Sequence, residues 1–267
     1  MSQSVARKIS ASKSASKVAP SSAWHGLDAN LSRKNRTVRV GDTTFALNCL
    51  EDMEDAFQQS FKALPHARRA IAAGNTAELT PHFGVVWPSA VGLSEHVQQF
   101  LDSGNSPAIA LELGCGLGLP SMVAAKQGVR RVIATDRHPL VSQFLARNVE
   151  SNSLQGIDYQ PLDWRDLTET STLGLKQKVD LLLGSDLLYE AWQPGFLAAA
   201  VAHLLAPDGV AMLADPGRKY MDEFMDLSAA HHIACRETCV RRVQLGETVS
   251  DVLVIELVWK NFQDEKF

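Results

Sequence analysis

Cysteine is scarce in this chain, with four residues in 267, at Cys49, Cys115, Cys235 and Cys239. They are too few and too scattered for a disulfide framework, so free thiols in a reducing compartment are expected. No stretch reaches the roughly 18 to 20 consecutive apolar residues that a membrane helix needs, and the N-terminus lacks the apolar core of a secretory signal. Acid is nearly missing from the front: residues 1–40 hold eight Lys or Arg against Asp28 alone. That stretch therefore carries +7 and the remainder −11, a split hidden in the net charge of −4. His231, His232, Cys235 and Cys239 are ligand types, yet four of them inside nine residues match none of the usual structural-zinc spacings. They read as a helix end followed by a half-buried strand, and no metal is expected.

What is present is an ordinary globular composition, 45% hydrophobic and 21% charged, outside the range of disordered chains. Residues 1–36 are mostly Ser, Ala, Lys and Arg without apolar periodicity and read as a flexible basic tail. The same composition resembles a mitochondrial transit peptide. The expected compartment is cytoplasmic, with mitochondrial as the alternative. Residues 37–79 predict two short strands turning at Gly41-Asp42 and a helix over about 51–72, packing on the core.

From residue 80 to 260 one domain is expected. Pro88 suits the first turn of a helix whose apolar face is Ala90, Leu93, Val97, Phe100 and Leu101. Strand and helix then alternate: strands over 108–113, 131–135, 158–162, 179–184 and 210–214, helices over 120–126, 139–152 and 196–205, the last stopped by Pro207-Asp208-Gly209. Another helix carries Tyr220, Phe224 and Leu227. Two final strands near 235–243 and 249–259, with Gly246 between them, are placed to pair as a hairpin. The fold class is α/β, a Rossmann-like, doubly wound, mostly parallel sheet with an antiparallel edge hairpin.

The strongest motif is Glu112-Leu113-Gly114-Cys115-Gly116-Leu117-Gly118, where a buried strand turns into a helix. Glycines permit a sharp turn and a close approach of ligand to backbone. The spacing G-x-G-x-G departs from the dinucleotide pattern G-x-G-x-x-G, since Leu119 stands where the third glycine would be. A phosphate-cradling G-x-x-x-x-G-K-[ST] run is also missing. The next strand ends in Asp136, and a carboxylate there can accept from both hydroxyls of a ribose. A ribose acid beside a glycine turn without phosphate spacing implies a nucleoside ligand lacking phosphates.

These residues resemble the class I, seven-strand S-adenosylmethionine-dependent methyltransferases. The resemblance implies S-adenosyl-L-methionine as cofactor, bound by Glu112, Gly114, Gly116, Gly118 and Asp136. The helix that starts at Pro120 would aim its positive end at the cofactor carboxylate. Leu162-Asp163-Trp164 follows the third strand, with Asp163 expected to accept from the adenine amine and Trp164 to flank the ring. Ser185-Asp186-Leu187-Leu188-Tyr189 ends the fourth, with Ser185 counted among the cofactor residues.

Asp186-x-x-Tyr189 is similar to the D-x-x-Y signature of the methyltransferase-like protein-lysine methyltransferases, and Trp87-Pro88-Ser89 to their cofactor-covering segment. The N-P-P-Y of glutamine methyltransferases is missing. The resemblance implies an N-methyltransferase acting on a lysine of a protein substrate, with Asp186 attracting the cationic amine and Tyr189 orienting that carboxylate or lining the channel. Small-molecule amines, and a binding protein without catalysis, are the alternatives. A monomer is expected, with no specific nucleic acid partner because the body is acidic, and no membrane partner. Arg218, in Asp215-Pro216-Gly217-Arg218, either closes over the site or begins the next helix.

Overall fold

The computed structural model describes residues 30–63, 80–167 and 178–260. Strands β1 (Arg33–Val40) and β2 (Thr43–Leu50) form a separate antiparallel pair turning at Gly41-Asp42, and α1 spans Met53–Ala63. The expected tail falls outside the described residues up to residue 29, and the expected helix does so beyond residue 63. The tail boundary needs one correction, because β1 begins at Arg33 rather than after residue 36. Its first half is polar and gives no alternation. It is held instead by pairing, Arg33 opposite Leu50 and Lys34 opposite Cys49, and by the Arg33 guanidinium 4.6 Å above the Phe144 ring.

Helix α2 (Pro88–Asp102) leads into β3 (Ile109–Leu113), α3 (Leu119–Lys126), β4 (Arg131–Asp136), α4 (Val141–Ser151), β5 (Ile157–Pro161), β6 (Val179–Ser185), α5 (Gln193–Leu204), β7 (Leu205–Asp215), α6 (Met221–Ala230), β8 (Ile233–Leu245) and β9 (Thr248–Trp259). The seven-stranded sheet runs β5-β4-β3-β6-β7-β9-β8. Its first five strands are parallel, and β9 joins β7 and β8 antiparallel. Parallel strands with helices on both faces must be apolar throughout. Ala110–Leu111, Val132–Ala134 and Leu181–Leu183 accordingly have no exposed surface.

The strand order reverses between β3 and its neighbours β4 and β6, and the carboxyl ends of those strands form the crevice where open α/β sheets bind ligands. One expectation fails nearby. Pro207-Asp208-Gly209 does not stop α5, which ends at Leu204; these residues lie inside β7 as an irregularity between the pairs Val179–Leu205 and Leu181–Val210. Gly209 fits there because a Cβ would come within 2.9 Å of the Val179 carbonyl oxygen.

Candidate cofactor and active site

A cleft of about 160 Å³ opens at the carboxyl ends of β3, β4 and β6, walled by the glycine turn, the ends of β4 and β5, the residues after β6 and the segment before α2. Of the sequence-selected residues, Trp87, Gly114, Gly116, Gly118, Asp136, Asp163, Trp164, Ser185, Asp186 and Tyr189 all line it. Gly116 takes φ +50° while passing Phe83, whose carbonyl oxygen would lie 3.1 Å from a Cβ. A side chain there would strain the backbone and crowd the wall.

Asp136 is buried at the end of β4. Its carboxylate accepts from the backbone N–H of Gly116 (3.1 Å) and of His138 (2.8 Å). Burial raises its pKa, with those two bonds and Arg137 pulling the other way. A carboxylate offers about four lone-pair sites, so two accepted bonds leave capacity for the two hydroxyls of a ribose. With three turn glycines and the apolar Leu117, Pro139 and Leu162 in the same wall, the donor set fits S-adenosylmethionine.

Glu112 is placed differently from expectation. It is absent from the cleft wall and buried beneath it, where Oε2 accepts from the Ser121 backbone N–H (3.0 Å) and hydroxyl (2.5 Å). Burial pushes its carboxyl up to about 8 against the pull of Ser121, with Asp136 adding to the rise. Glu112 thus pins the first turn of α3 to β3 and acts on the cofactor only through the turn it holds. Asp163 does line the cleft, but Arg165 grips both its oxygens at 2.9 and 3.0 Å through Nε. Burial raises the Asp163 carboxyl, and the Arg165 bonds and charge outweigh it and leave the pKa lowered. An adenine amine must share that acceptor. The Trp164 ring is half-buried and meets Trp192 edge-on at 6.3 Å.

Asp186 follows β6 with φ +56°, a left-handed conformation that an Asp tolerates better than most residues. Its N–H donates to the Ala214 carbonyl at 2.9 Å. Arg218 Nη1 sits 2.5 Å from Asp186 Oδ1 and 3.0 Å from Asp215 Oδ2. The Arg218 N–H also donates to Asp215 Oδ1 at 2.7 Å. Arg218 fits neither expected alternative: it lies ahead of α6, which begins at Met221, and outside the cleft wall, bracing two strand-end carboxylates. Asp186 Oδ2 is buried without a hydrogen-bond partner.

Tyr189 is 39% exposed at the mouth of the cleft, its position fixed by the Gln193 side chain, which accepts from the Tyr189 and Glu190 N–H groups at 2.6 and 2.7 Å. Sequence reasoning missed His82, whose ring lies 5.8 Å from Tyr189 and 6.1 Å from Trp87, and whose carbonyl accepts from the Trp87 indole at 2.8 Å. Burial lowers the His82 pKa. It also missed Phe83 and His138, stacked with centroids 4.2 Å apart. The signal that could have found them is the neighbouring Trp87-Pro88-Ser89, expected to cover the cofactor.

A sequence model of a family described as lysine methyltransferase matches residues 77–229. Among curated proteins, the protein N-lysine methyltransferase METTL21A of Xenopus tropicalis is 34% identical over 155 residues, 55% of this chain and 67% of that protein. Its Danio rerio counterpart is 34% identical, and the match covers 52% of this chain and 63% of that protein. The histone-arginine methyltransferase METTL23 of Xenopus laevis is 29% identical over 39% of this chain and 44% of its own. A solved structure from Pyrococcus horikoshii, described as an RNA methyltransferase, shares the fold alone at 12% identity and a TM-score of 0.51, over 63% of this chain and 84% of that one. The family match takes in the glycine turn, Asp136, Asp163, the Asp186–Tyr189 segment and Arg218 together, and the chain belongs to this family of S-adenosylmethionine-dependent lysine methyltransferases.

Proposed function

We propose that the chain methylates the side-chain amine of a lysine presented by another protein. The observation that carries this reading is the Asp186–Arg218–Asp215 brace, which holds a strand-end carboxylate at the cofactor cleft with one oxygen engaged and the other unpaired. S-adenosylmethionine, when bound, supplies a methyl group on a positively charged sulfur. The chain's own residues then have to position an amine, exclude water and let a proton leave. Lysine begins near pKa 10.4. Asp186 attracts the ammonium to the cleft, and the apolar wall of Leu187, Val86 and Trp87 desolvates it, which favours the neutral, nucleophilic form.

Arginine is the competing acceptor, given the arginine-directed relative. A guanidinium is best held by both oxygens of one carboxylate. Asp186 Oδ1 already faces the Arg218 guanidinium, so a second planar fork would have to displace it, whereas a compact ammonium can take Oδ2.

Incubating purified protein with labelled cofactor and cell extract, followed by hydrolysis of the labelled bands, identifies the acceptor. Methyl-lysine is the expected product. Asp186→Asn should lower its formation by about 100-fold or more while cofactor affinity stays within a few-fold, as for loss of a positioning charge. Label confined to methyl-arginine or to small metabolites, or an unimpaired Asp186→Asn enzyme, overturns the reading.

A further inference from the structure

Strand β2 is paired on one edge only, with β1. Two asparagines of α4 and its C-terminal cap occupy the other edge. Ala46 N–H donates to Asn152 Oδ1 at 2.9 Å, and Asn152 Nδ2 donates to the Ala46 carbonyl at 2.8 Å. Asn48 N–H donates to Asn148 Oδ1 at 2.7 Å. The match is geometric: four helical residues advance about 6.0 Å and two strand residues about 6.7 Å, so side chains at i and i+4 meet backbone groups at j and j+2. The helix thereby stands in for a neighbouring strand.

The two asparagines differ in where else they reach. Asn152, the C-terminal cap of α4, also donates through Nδ2 to the Asn148 carbonyl at 2.7 Å and lies 3.7 Å from Met122 Sδ, with no hydrogen bond to the glycine turn among the described residues. Asn148 is fully buried, and its Nδ2 turns away from β2 to donate at 3.0 Å to the carbonyl of Leu117, a residue of the glycine turn. Leu47, between the two bonded strand residues, is itself fully buried and lines the same cleft as Leu117. A single amide therefore joins the hairpin backbone to the turn that carries Gly116 and Gly118.

We propose that the β1–β2 hairpin is a built part of the cofactor site and that Asn148 is the positioning residue coupling it to the glycine turn. Cofactor binding and hairpin docking then stabilise each other, because whatever orders Leu117 also orders Asn48, and the coupling runs equally in both directions. The inference rests on the cofactor cleft and is independent of which amine is methylated.

The test uses the full chain with S-adenosylhomocysteine as the probe, reading its dissociation constant by calorimetry and hydrogen exchange in the 43–50 segment by mass spectrometry. In the unaltered protein saturating probe should slow exchange over 43–50. Asn148→Ala should raise the dissociation constant by about tenfold, the worth of one net buried hydrogen bond, and abolish the probe's effect on 43–50. Asn152→Ala, which loosens the same strand edge without touching the turn, should stay within about twofold and keep that effect. Equal shifts in the two variants would show that hairpin stability alone is at work and overturn the coupling. So would exchange over 43–50 that ignores the probe in the unaltered protein, an arm that needs no variant to fold.

Discussion

Two buried polar clusters in this molecule obey different rules. Between α2 and the β8–β9 hairpin, Glu256 accepts from His96 Nε2 at 2.7 Å and from Arg236 Nε at 3.0 Å. His96 Nδ1 in turn accepts from Arg241 at 2.8 Å. The His96 and Arg236 hydrogen bonds overcome burial and lower the Glu256 pKa. At the cleft, by contrast, Glu112 Oε1 and Asp186 Oδ2 have no hydrogen-bond partner, and burial raises the carboxyls of Glu112 and Asp136. A buried carboxylate with both oxygens bonded, as in Glu256, serves the fold. One left partly unsatisfied costs stability: at Asp186 an incoming amine can supply the missing bond, whereas Glu112, out of the cleft's reach, limits the cost by holding its proton.

Substitution on the two sides should separate these roles. Glu256→Ala leaves the buried His96 without its acceptor, while Arg236, 45% exposed, can turn to water, so the cost should be about 2–3 kcal/mol, below that of breaking a fully buried ion pair. Urea denaturation should show a loss of that size, with cofactor affinity in the remaining folded protein unchanged. Asp136→Ala should do the reverse. Losing two hydrogen bonds to a charged acceptor, at about 1.5 kcal/mol or more each, weakens cofactor binding by about 100-fold, which calorimetry reads directly, while the Gly116 and His138 N–H groups it frees line the open cleft and can turn to water, so the urea midpoint moves less than for Glu256→Ala. Similar stability losses in both variants would erase the distinction between the clusters.

The contrast also explains what was legible beforehand. The parallel strands could be read because burial on both faces demands unbroken apolar runs such as Leu181–Leu183, and the glycine turn because its spacing is a backbone requirement. Asp136 and Asp186 could be placed because strand ends point at the crevice. The brace by Arg218 depends on which way one long side chain turns, and no spacing encodes that. Glu112 was expected at the ligand and lies behind the turn, since alternation along β3 gives its face but not its distance from the cleft. The start of β1 at Arg33 was missed because Arg33-Lys34-Asn35-Arg36 holds no apolar residue; its partner strand decides its conformation. Asn148 and Asn152 looked like ordinary polar residues on a helix, and only the arrival of β2 from a hundred residues earlier gives them a task.

The smallest effect is the sharpest probe of the cleft cluster. With its carboxyl pushed up to about 8, folded Glu112 keeps a proton that the unfolded chain gives up above its ordinary value near 4.5. The unfolded state therefore binds fewer protons than the folded state across that window, and stability falls as pH rises from about 5 towards 8. The Glu112→Gln side chain is neutral at every pH and keeps an oxygen to accept from Ser121, so that variant lacks this slope. Thermal midpoints of the two proteins should diverge steadily in favour of the variant as pH climbs through that range. His138 supplies the internal control at the acid end. Burial holds its imidazole down to about 3, so the folded protein stays neutral there while the unfolded chain takes up a proton below about 6.5. Below about 4, where Glu112 carries its proton folded and unfolded alike, both proteins should accordingly lose stability in parallel as pH falls. Parallel curves at the alkaline end as well would mean that Glu112 ionises in the folded protein as readily as in the unfolded one, and the carboxylate of Glu112 would then be as well compensated as that of Glu256.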